Sequence, residues 1–390
     1  MITVDEALAE LFALVSPVGT ETVPLDRAAG RVLAQAVTAL RDQPPFPASA
    51  MDGYAVRNSE VRPGAAFRIV GESAAGHGYD GSVGPGEAVR IFTGAPVPEG
   101  ADRVVIQEDT ARDGDTITLQ DNIDPQGYVR PAGGDFRAGS VVQAARRLGP
   151  QDVALLAAMN IAEVPVSRRP VAALIATGDE LVMPGETPSR DQIIASNSFG
   201  LKAMLEAAGA EARLLPIARD NLPSLRTAFT LAKGADLIVT IGGASVGDHD
   251  LVAPAAEEMG LNRSFYKVAM RPGKPLMAGR MGDATLIGLP GNPVSSMVCG
   301  QIFILPVIRA MLGLGEGPAP RQQRPLDADI GQNGPREHYM RAKLSDTGIA
   351  PYDRQDSSLL TVLALADALL VRPPHDAPRR AGEMVDYIPL

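Results

Sequence analysis

The sequence predicts a multidomain α/β protein: a doubly wound α/β domain with an N-terminal helical segment, an inserted small β domain and a C-terminal β-barrel-like domain. Three observations carry this. From residue 170 onward, apolar strands alternate with helical segments, the pattern of a parallel sheet covered on both faces. Residues 53–137 instead give short apolar runs (FRIV, AVRIF, RVVIQ, TITL) parted by Gly, Pro and Asp, the spacing of a small β domain. The chain has 390 residues and is 45% hydrophobic, long for one domain and apolar enough for several cores.

In chain order, residues 3–16 predict an amphipathic helix. Thr3 and Glu6 form a capping box, and Ala7, Leu8, Leu11, Phe12, Leu14 and Val15 supply its apolar face. A second short helix fits 25–36. The prolines of DQPPFPASAMDGYAV then forbid helix continuation. Helix returns at 150–159, with an extended segment at 162–167. Segments 1–40 and 138–167 are therefore expected to pack together as one discontinuous helical and linker unit, with 41–137 inserted between them. In 168–315 the pattern gives a strand at 171–177, helix 197–208, a strand near 211–217, helix 222–233 and strand 236–243. Helix 249–259, strands 264–270 and 284–288 and helix 293–312 complete it. After the linker Gly313–Pro325, the runs HYMRAKL, ALLVRP and VDYIPL place a β domain in 316–390.

Charge and composition narrow the function. The net charge is 36 − 46 = −10, which argues against a nucleic-acid partner. Cys299 is the only cysteine, so neither an intramolecular disulfide nor a thiolate metal cluster is possible. The start MITVDEALAELFALV lacks a basic n-region and does not read as a signal peptide. No uninterrupted apolar run reaches the roughly 18 residues of a membrane helix; 294–312 comes closest and is broken by Gln301 and Pro306. A cytoplasmic protein without membrane attachment is expected.

Parallel sheets bind ligands at the carboxyl ends of their strands, so the loops after 176, 241 and 288 matter most. In TIGGASVGDHD, Gly242, Gly243 and Gly247 let backbone approach a ligand. The next helix is expected to begin near Asp248, its free N–H groups facing an anion. Asp248 and Asp250 either cap that helix or hold a metal ion; Mg²⁺ favours one or two carboxylates plus phosphate oxygens and water. In ATGDEL, Thr177, Asp179 and Glu180 place a hydroxyl and two carboxylates at a strand end, where they orient a ligand or merely cap a turn. MRPGKP brings Arg271 and Lys274 onto a stiff loop, with Lys267 just upstream. These cations either neutralise phosphates or an oxyanion, or form a solvated basic face. In GLPGNPVSS, Asn292 is a good N-cap and Pro293 fits the first helical turn. Capping does not account for the doubled Pro-Gly and Asn-Pro, whereas an anion at that helix start would. Asp52 in SAMDGYAV, Thr93 in RIFTGAPVP and Asp135 in GGDF sit on turns. The four histidines (77, 249, 338, 375) lack ligand spacing, and no P-loop or nucleophile elbow occurs.

Taken in order, PPFPASAMDGYAV, RIFTGAPVP, GGDF, ATGDEL, TIGGASVGDHD, RPGKP and GLPGNPVSS resemble the MoeA-type molybdopterin molybdotransferases, a family that includes the E domain of gephyrin. The resemblance spans the whole chain. It implies four domains per subunit, with 168–315 the molybdopterin-binding domain, and an elongated homodimer whose cleft joins subunits. It implies insertion of molybdate into adenylylated molybdopterin with release of AMP, with Mg²⁺ as cofactor, and contact with other molybdenum-cofactor enzymes. Position by position, Asp52, Thr93, Asp135, Glu180, Asp220, Asp250 and Lys267 match residues important for activity, and Pro290 and Pro293 match the family's paired prolines. Arg271 and Lys274 join the catalytic set. Asp250 and Asp220 are the expected metal ligands. Thr177, Gly178, Asp179, Asn197, Gly242, Gly243, Ser245, Gly247, Asp248, Pro290, Gly291, Asn292, Pro293 and Ser295 are expected to bind substrate. Two positions depart from the family: Pro47-Ala48 stands where Asp-Asn is common, and Arg271 where lysine is frequent. A molybdopterin adenylyltransferase and a non-catalytic scaffold of the same fold are the rivals.

Overall fold

The computed structural model describes residues 1–243 and 251–390. The first helix runs Val4–Ala13 and starts as the sequence predicts: the Glu6 amide donates to Thr3 Oγ1 (3.2 Å) and the Thr3 amide to the Glu6 carboxylate (2.8 Å). Its buried face, Val4, Ala7, Leu8 and Leu11, packs into the same core as Leu174, Leu237 and Phe303 of the α/β domain, not against 138–167. The Leu14 carbonyl, accepting from Arg280 (2.7 Å) and Thr285 (2.9 Å), ties the helix end to that domain.

The rest of 1–40 does pair with 138–167, but through strands. Thr20–Pro24 runs antiparallel to Glu163–Ser167, Val32–Leu33 pairs with Arg146–Arg147, and Val37–Thr38 with Val141–Val142. The helix expected over 25–36 is only a 3₁₀ turn, Leu25–Arg27. Gly30 takes φ +76°, which an α-helix does not allow, and β-branched Val32 goes to the sheet. The insert is a six-stranded sheet in the order Arg103–Ile106, Gly53–Val56, Glu87–Ile91, Ala66–Ser73, Thr116–Leu119, Thr110–Asp113.

The α/β domain holds a six-stranded sheet ordered Glu211–Leu214, Val171–Ala176, Leu237–Ile241, Ala284–Leu289, Met277–Met281, Leu261–Tyr266. The first four strands are parallel. Met277–Met281 is antiparallel to both neighbours, so the sheet is mixed. The Gly282-Asp283 turn, with Gly282 at φ +60°, reverses the chain there. The strand expected over 264–270 is Leu261–Tyr266, and Met270–Arg271 leaves the sheet to pair with Glu337–His338. Asn197–Ala207 and Pro293–Met311 cover one face of the sheet, Leu222–Leu231 and Val252–Glu258 the other. All six residues of Val171–Ala176 are buried, as a strand covered on both faces requires. Pro293–Met311 is long and apolar enough to cross a membrane by composition, but it is 78% buried inside the fold and serves as a core helix, with a π turn at Gly300–Ile304.

The C-terminal sheet runs Gln322–Pro325, Met384–Pro389, Ala368–Arg372, Glu337–Leu344, with Ile349–Pro351 on the last. A bridge between Leu326 and Ile349 brings the two edges together around a core of Ala342, Leu370, Val385 and Tyr387, the barrel-like closure the sequence predicts.

Candidate active site

Because Val171–Ala176, Leu237–Ile241 and Ala284–Leu289 are adjacent parallel strands, the loops at their carboxyl ends emerge side by side. The ladder continues past the strands: Thr177 N donates to Ile241 O (3.0 Å) and Gly242 N to Leu289 O (3.0 Å). The loops then pack backbone on backbone. Gly242 takes φ +96°, and a methyl group there would sit 2.7 Å from the Thr177 carbonyl oxygen, while one on Gly291 would make an ordinary contact with the Gly242 Cα. At Gly242 a side chain is excluded by space as well as by conformation.

These loops form a cleft of about 720 Å³. Of the sequence-predicted site residues, it brings together Thr177, Gly178, Glu180, Asn197, Asp220, Gly242, Gly243, Pro290, Gly291, Asn292 and Pro293. Glu180 folds back over Gly178, whose φ of +147° leaves room for the carboxylate where a Cβ would lie. Asp179 and Asp220 lock two loops reciprocally: Asp220 N donates to Asp179 Oδ1 (3.2 Å), and Asp179 N to Asp220 Oδ2 (3.4 Å). The Asn197 amide donates to Gly291 O (2.7 Å) and Ser296 Oγ (3.1 Å), so it fixes the wall of the cleft. Asn292 stands at the N-cap position but its side chain makes no capping bond; it stays exposed on the cleft wall. Pro293 occupies the first turn as predicted.

Other expected residues lie elsewhere. Ser295 is buried one turn into the helix and does not line the cleft. Ser245, Gly247, Asp248 and Asp250 lie outside the described residues. Lys267, Arg271 and Lys274 are not on the cleft wall, where only Pro275 represents their loop. Lys267 Nζ sits 5.5 Å from the Tyr266 ring centroid, and Arg271 is held in the C-terminal sheet opposite His338. Asp52 and Thr93 meet in the inserted domain: Asp52 Oδ1 accepts from the Thr93 amide (2.8 Å) and hydroxyl (2.7 Å), and these bonds hold its pKa below the usual carboxylate value. Asp135 is exposed nearby in sequence order, its amide on the Gln43 carbonyl (2.9 Å). None of the three lines the cleft of its own chain.

Sequence reasoning missed a buried cluster of cationic side chains in the C-terminal domain. The Arg341 side chain is fully buried. Its Nη2 donates to Asp356 O (3.1 Å), while Nε and Nη1 have no partner among the described residues. His338 is also buried with Nε2 unpartnered. Burial, then the charges of Arg271, Arg341, Arg372 and Arg336, push its pKa down to about 3. Burial and Arg271 likewise lower the pKa of Arg341. The segment that holds Arg341 runs on to the cleft: beside Asp356, Ser357 O accepts the first-turn amide of Val294 (3.0 Å), and Ser358 lines the cleft wall. Uncompensated buried charge is costly, so this arrangement suits an anion. The alternation of HYMRAKL reads as an ordinary strand; only the tertiary packing shows that its arginine points inward.

A mixed α/β sheet with a polar cleft at the carboxyl ends of its parallel strands defines a ligand-binding α/β fold. Comparison with known proteins is specific. Residues 2–160 match the MoeA N-terminal region (domain I and II), 173–310 the probable molybdopterin binding domain, and 323–390 the MoeA C-terminal region (domain IV). The chain is 37% identical over 317 residues to a molybdopterin molybdenumtransferase of Haemophilus influenzae, covering 80% of this chain and 78% of that one. It is 35% identical over 381 residues to molybdopterin molybdenumtransferase 2 of Mycobacterium tuberculosis, covering 94% and 93%. The crystal structure of a molybdopterin biosynthesis MoeA protein from Pyrococcus horikoshii superposes with a TM-score of 0.86 at 26% identity over 100% of both chains. The chain belongs to the MoeA family.

Proposed function

We propose that this protein is a molybdopterin molybdotransferase, inserting molybdate into adenylylated molybdopterin with release of AMP. The observation that carries the reading is a polar, glycine-lined cleft with, close by, a buried arginine, Arg341, whose Nε and Nη1 lack partners among the described residues. The family relatives, named molybdopterin molybdenumtransferases, support it.

The two substrates are both anionic, and bringing them together costs Coulomb repulsion unless cations intervene. Arg341 and Arg271, whose charges already act on each other, would hold a tetrahedral oxyanion at the junction of the C-terminal and α/β domains. The Thr177–Glu180 and Pro290–Pro293 loops grip the pterin and nucleotide, with Glu180 offering an acceptor to an amide edge.

The donor set fits Mg²⁺: the cleft wall carries Asp220 and Glu180 oxygens and no described nitrogen or thiol ligand, and this ion needs only one or two carboxylates beside phosphate oxygens. Asp220, with Asp250, would hold it, where it would neutralise charge on the departing AMP. Asp52, Thr93 and Asp135 would act from a second copy, in a homodimer whose cleft joins subunits.

The test is to incubate the protein with adenylylated molybdopterin, molybdate and Mg²⁺, following AMP release and reconstitution of a cofactor-free molybdoenzyme. Molybdate-dependent AMP release is expected. Formation of adenylylated molybdopterin from molybdopterin and Mg-ATP, without that release, would make the chain an adenylyltransferase instead. Mixing an Asp52→Ala protein with a Glu180→Ala protein should restore activity that neither has alone if the cleft is shared.

A further inference from the structure

Arg219 is the most heavily used side chain next to the cleft, although it is not part of the wall. Its Nη1 donates to the carbonyl oxygens of Asp179 (3.0 Å), Leu181 (3.1 Å) and, at longer range, Gly178 (3.4 Å). Three main-chain carbonyls of one short loop thus converge on one charged nitrogen. The other end is equally fixed. The Arg219 amide donates to Ser224 Oγ (2.9 Å), and the Ser224 amide donates to Asn221 Oδ1 (2.9 Å), the N-cap of helix Leu222–Leu231. Among the described residues no carboxylate lies within ion-pair distance of Arg219. Among the described residues its Nη1 is therefore committed to the loop.

The loop it holds carries the cleft. It bears Thr177 and Glu180, and its Glu180 carbonyl accepts the Ile193 amide (2.7 Å), so the two-stranded flap Leu181–Val182 with Ile193–Ile194 hangs from the same segment. Leu181, Ile193 and Ile194 line the cleft from that flap, and Ile193 is exposed to 58% of its surface. Apolar side chains left in solvent at a cleft mouth are suited to cover a flat heterocycle. Gly178, with its positive φ, lacks the stiffness to hold this geometry alone.

We infer that Arg219 is a positioning residue. It clamps the 178–181 backbone to the helix at 222–231 and so sets both the Glu180 carboxylate and the Ile193–Ile194 flap against the nucleotide or pterin ring. The substrate part rests on the function proposed above; the clamp itself does not. Because the clamp acts on binding in ground and transition states alike, its loss raises KM and leaves kcat nearly unchanged.

Two measurements on the full chain test this. In the first, amide hydrogen exchange of the free protein compares wild type with Arg219→Ala. The Gly178, Asp179 and Ile193 amides should exchange about tenfold faster or more, while Val239 and Ile241 in the central strand keep their rates. Unchanged exchange at the three loop amides overturns the clamp, whatever the protein's reaction. In the second, KM and kcat for adenylylated molybdopterin are measured for wild type, Arg219→Ala and Arg219→Lys. A rise in KM of about tenfold in Arg219→Ala, with kcat within about threefold, is expected from the loss of charge-assisted hydrogen bonds. Tens of millimolar guanidinium should reverse it, and Arg219→Lys should lie between. An unchanged KM, or a defect in kcat alone, overturns the substrate role. If Arg219→Ala does not fold, Arg219→Lys carries both measurements with the same signs. Wild type that exchanges as expected but does not turn over would refute the reaction and leave the clamp standing.

Discussion

Arg341→Met separates a group kept for stability from one kept for binding. The substitution preserves length and apolar bulk but removes a fully buried guanidinium. One hydrogen bond is lost, Nη2 to Asp356 O at 3.1 Å, worth about 1.5–3 kcal/mol because the donor is charged. Two buried donors without partners, Nε and Nη1, disappear with it, and each relieves about 1–3 kcal/mol. Repulsion from Arg271, which already lowers the Arg341 pKa, is relieved as well. The balance favours the variant by about 1–3 kcal/mol in the absence of anion, within the range found when buried charges give way to apolar groups. Exchange of the Tyr339 and Leu370 amides, in the strand of Arg341 and its neighbour, reads this directly. Molybdate should close or reverse the gap: at a hundredfold excess over Kd it stabilises wild type by about 2.7 kcal/mol and leaves Arg341→Met unchanged. A destabilised variant, or one that molybdate stabilises as much as wild type, refutes the assignment of Arg341 to an oxyanion.

Other expectations follow from single contacts. Gly178→Ala forces a methyl group onto the Glu180 carboxylate at a φ of +147°, so it should cost about 1–3 kcal/mol of stability and raise KM for adenylylated molybdopterin, both read on the purified variant. His338 has its folded pKa lowered from 6.5 to about 3, so the unfolded chain takes up a proton first as pH falls. Stability should then drop by ~1.4 kcal/mol per pH unit below that ordinary value, relative to His338→Asn, until the folded pKa is reached; denaturant titrations across this window would show parallel curves if the histidine were not buried neutral. Thr93→Val removes the hydroxyl donor to Asp52 but keeps the amide, so the Asp52 pKa should rise part of the way toward its ordinary value; an unmoved carboxyl resonance on NMR titration would contradict the hydrogen bond.

What the sequence determined by itself is local or periodic. The Thr3–Glu6 capping box, the buried Val171–Ala176 strand, Pro293 in a first helical turn and the loops at strand ends all follow from propensities and patterns that act within a few residues. The ordered motifs also identified the family, which similarity along the whole chain establishes. Tertiary structure decided the rest. Met277–Met281 runs against its neighbours because a two-residue turn, and no crossover helix, joins it to the next strand. The segment 25–36 gives up helix for strand because its partners sit more than a hundred residues away, at 146–166. The cations expected in one pocket divide, since Arg271 is drawn into the C-terminal sheet, and there it meets Arg341, which no local pattern singles out. Burial and the absence of a partner are properties of the whole packed chain: a sequence names an arginine, and only the fold decides whether water, a carboxylate or an incoming anion satisfies it.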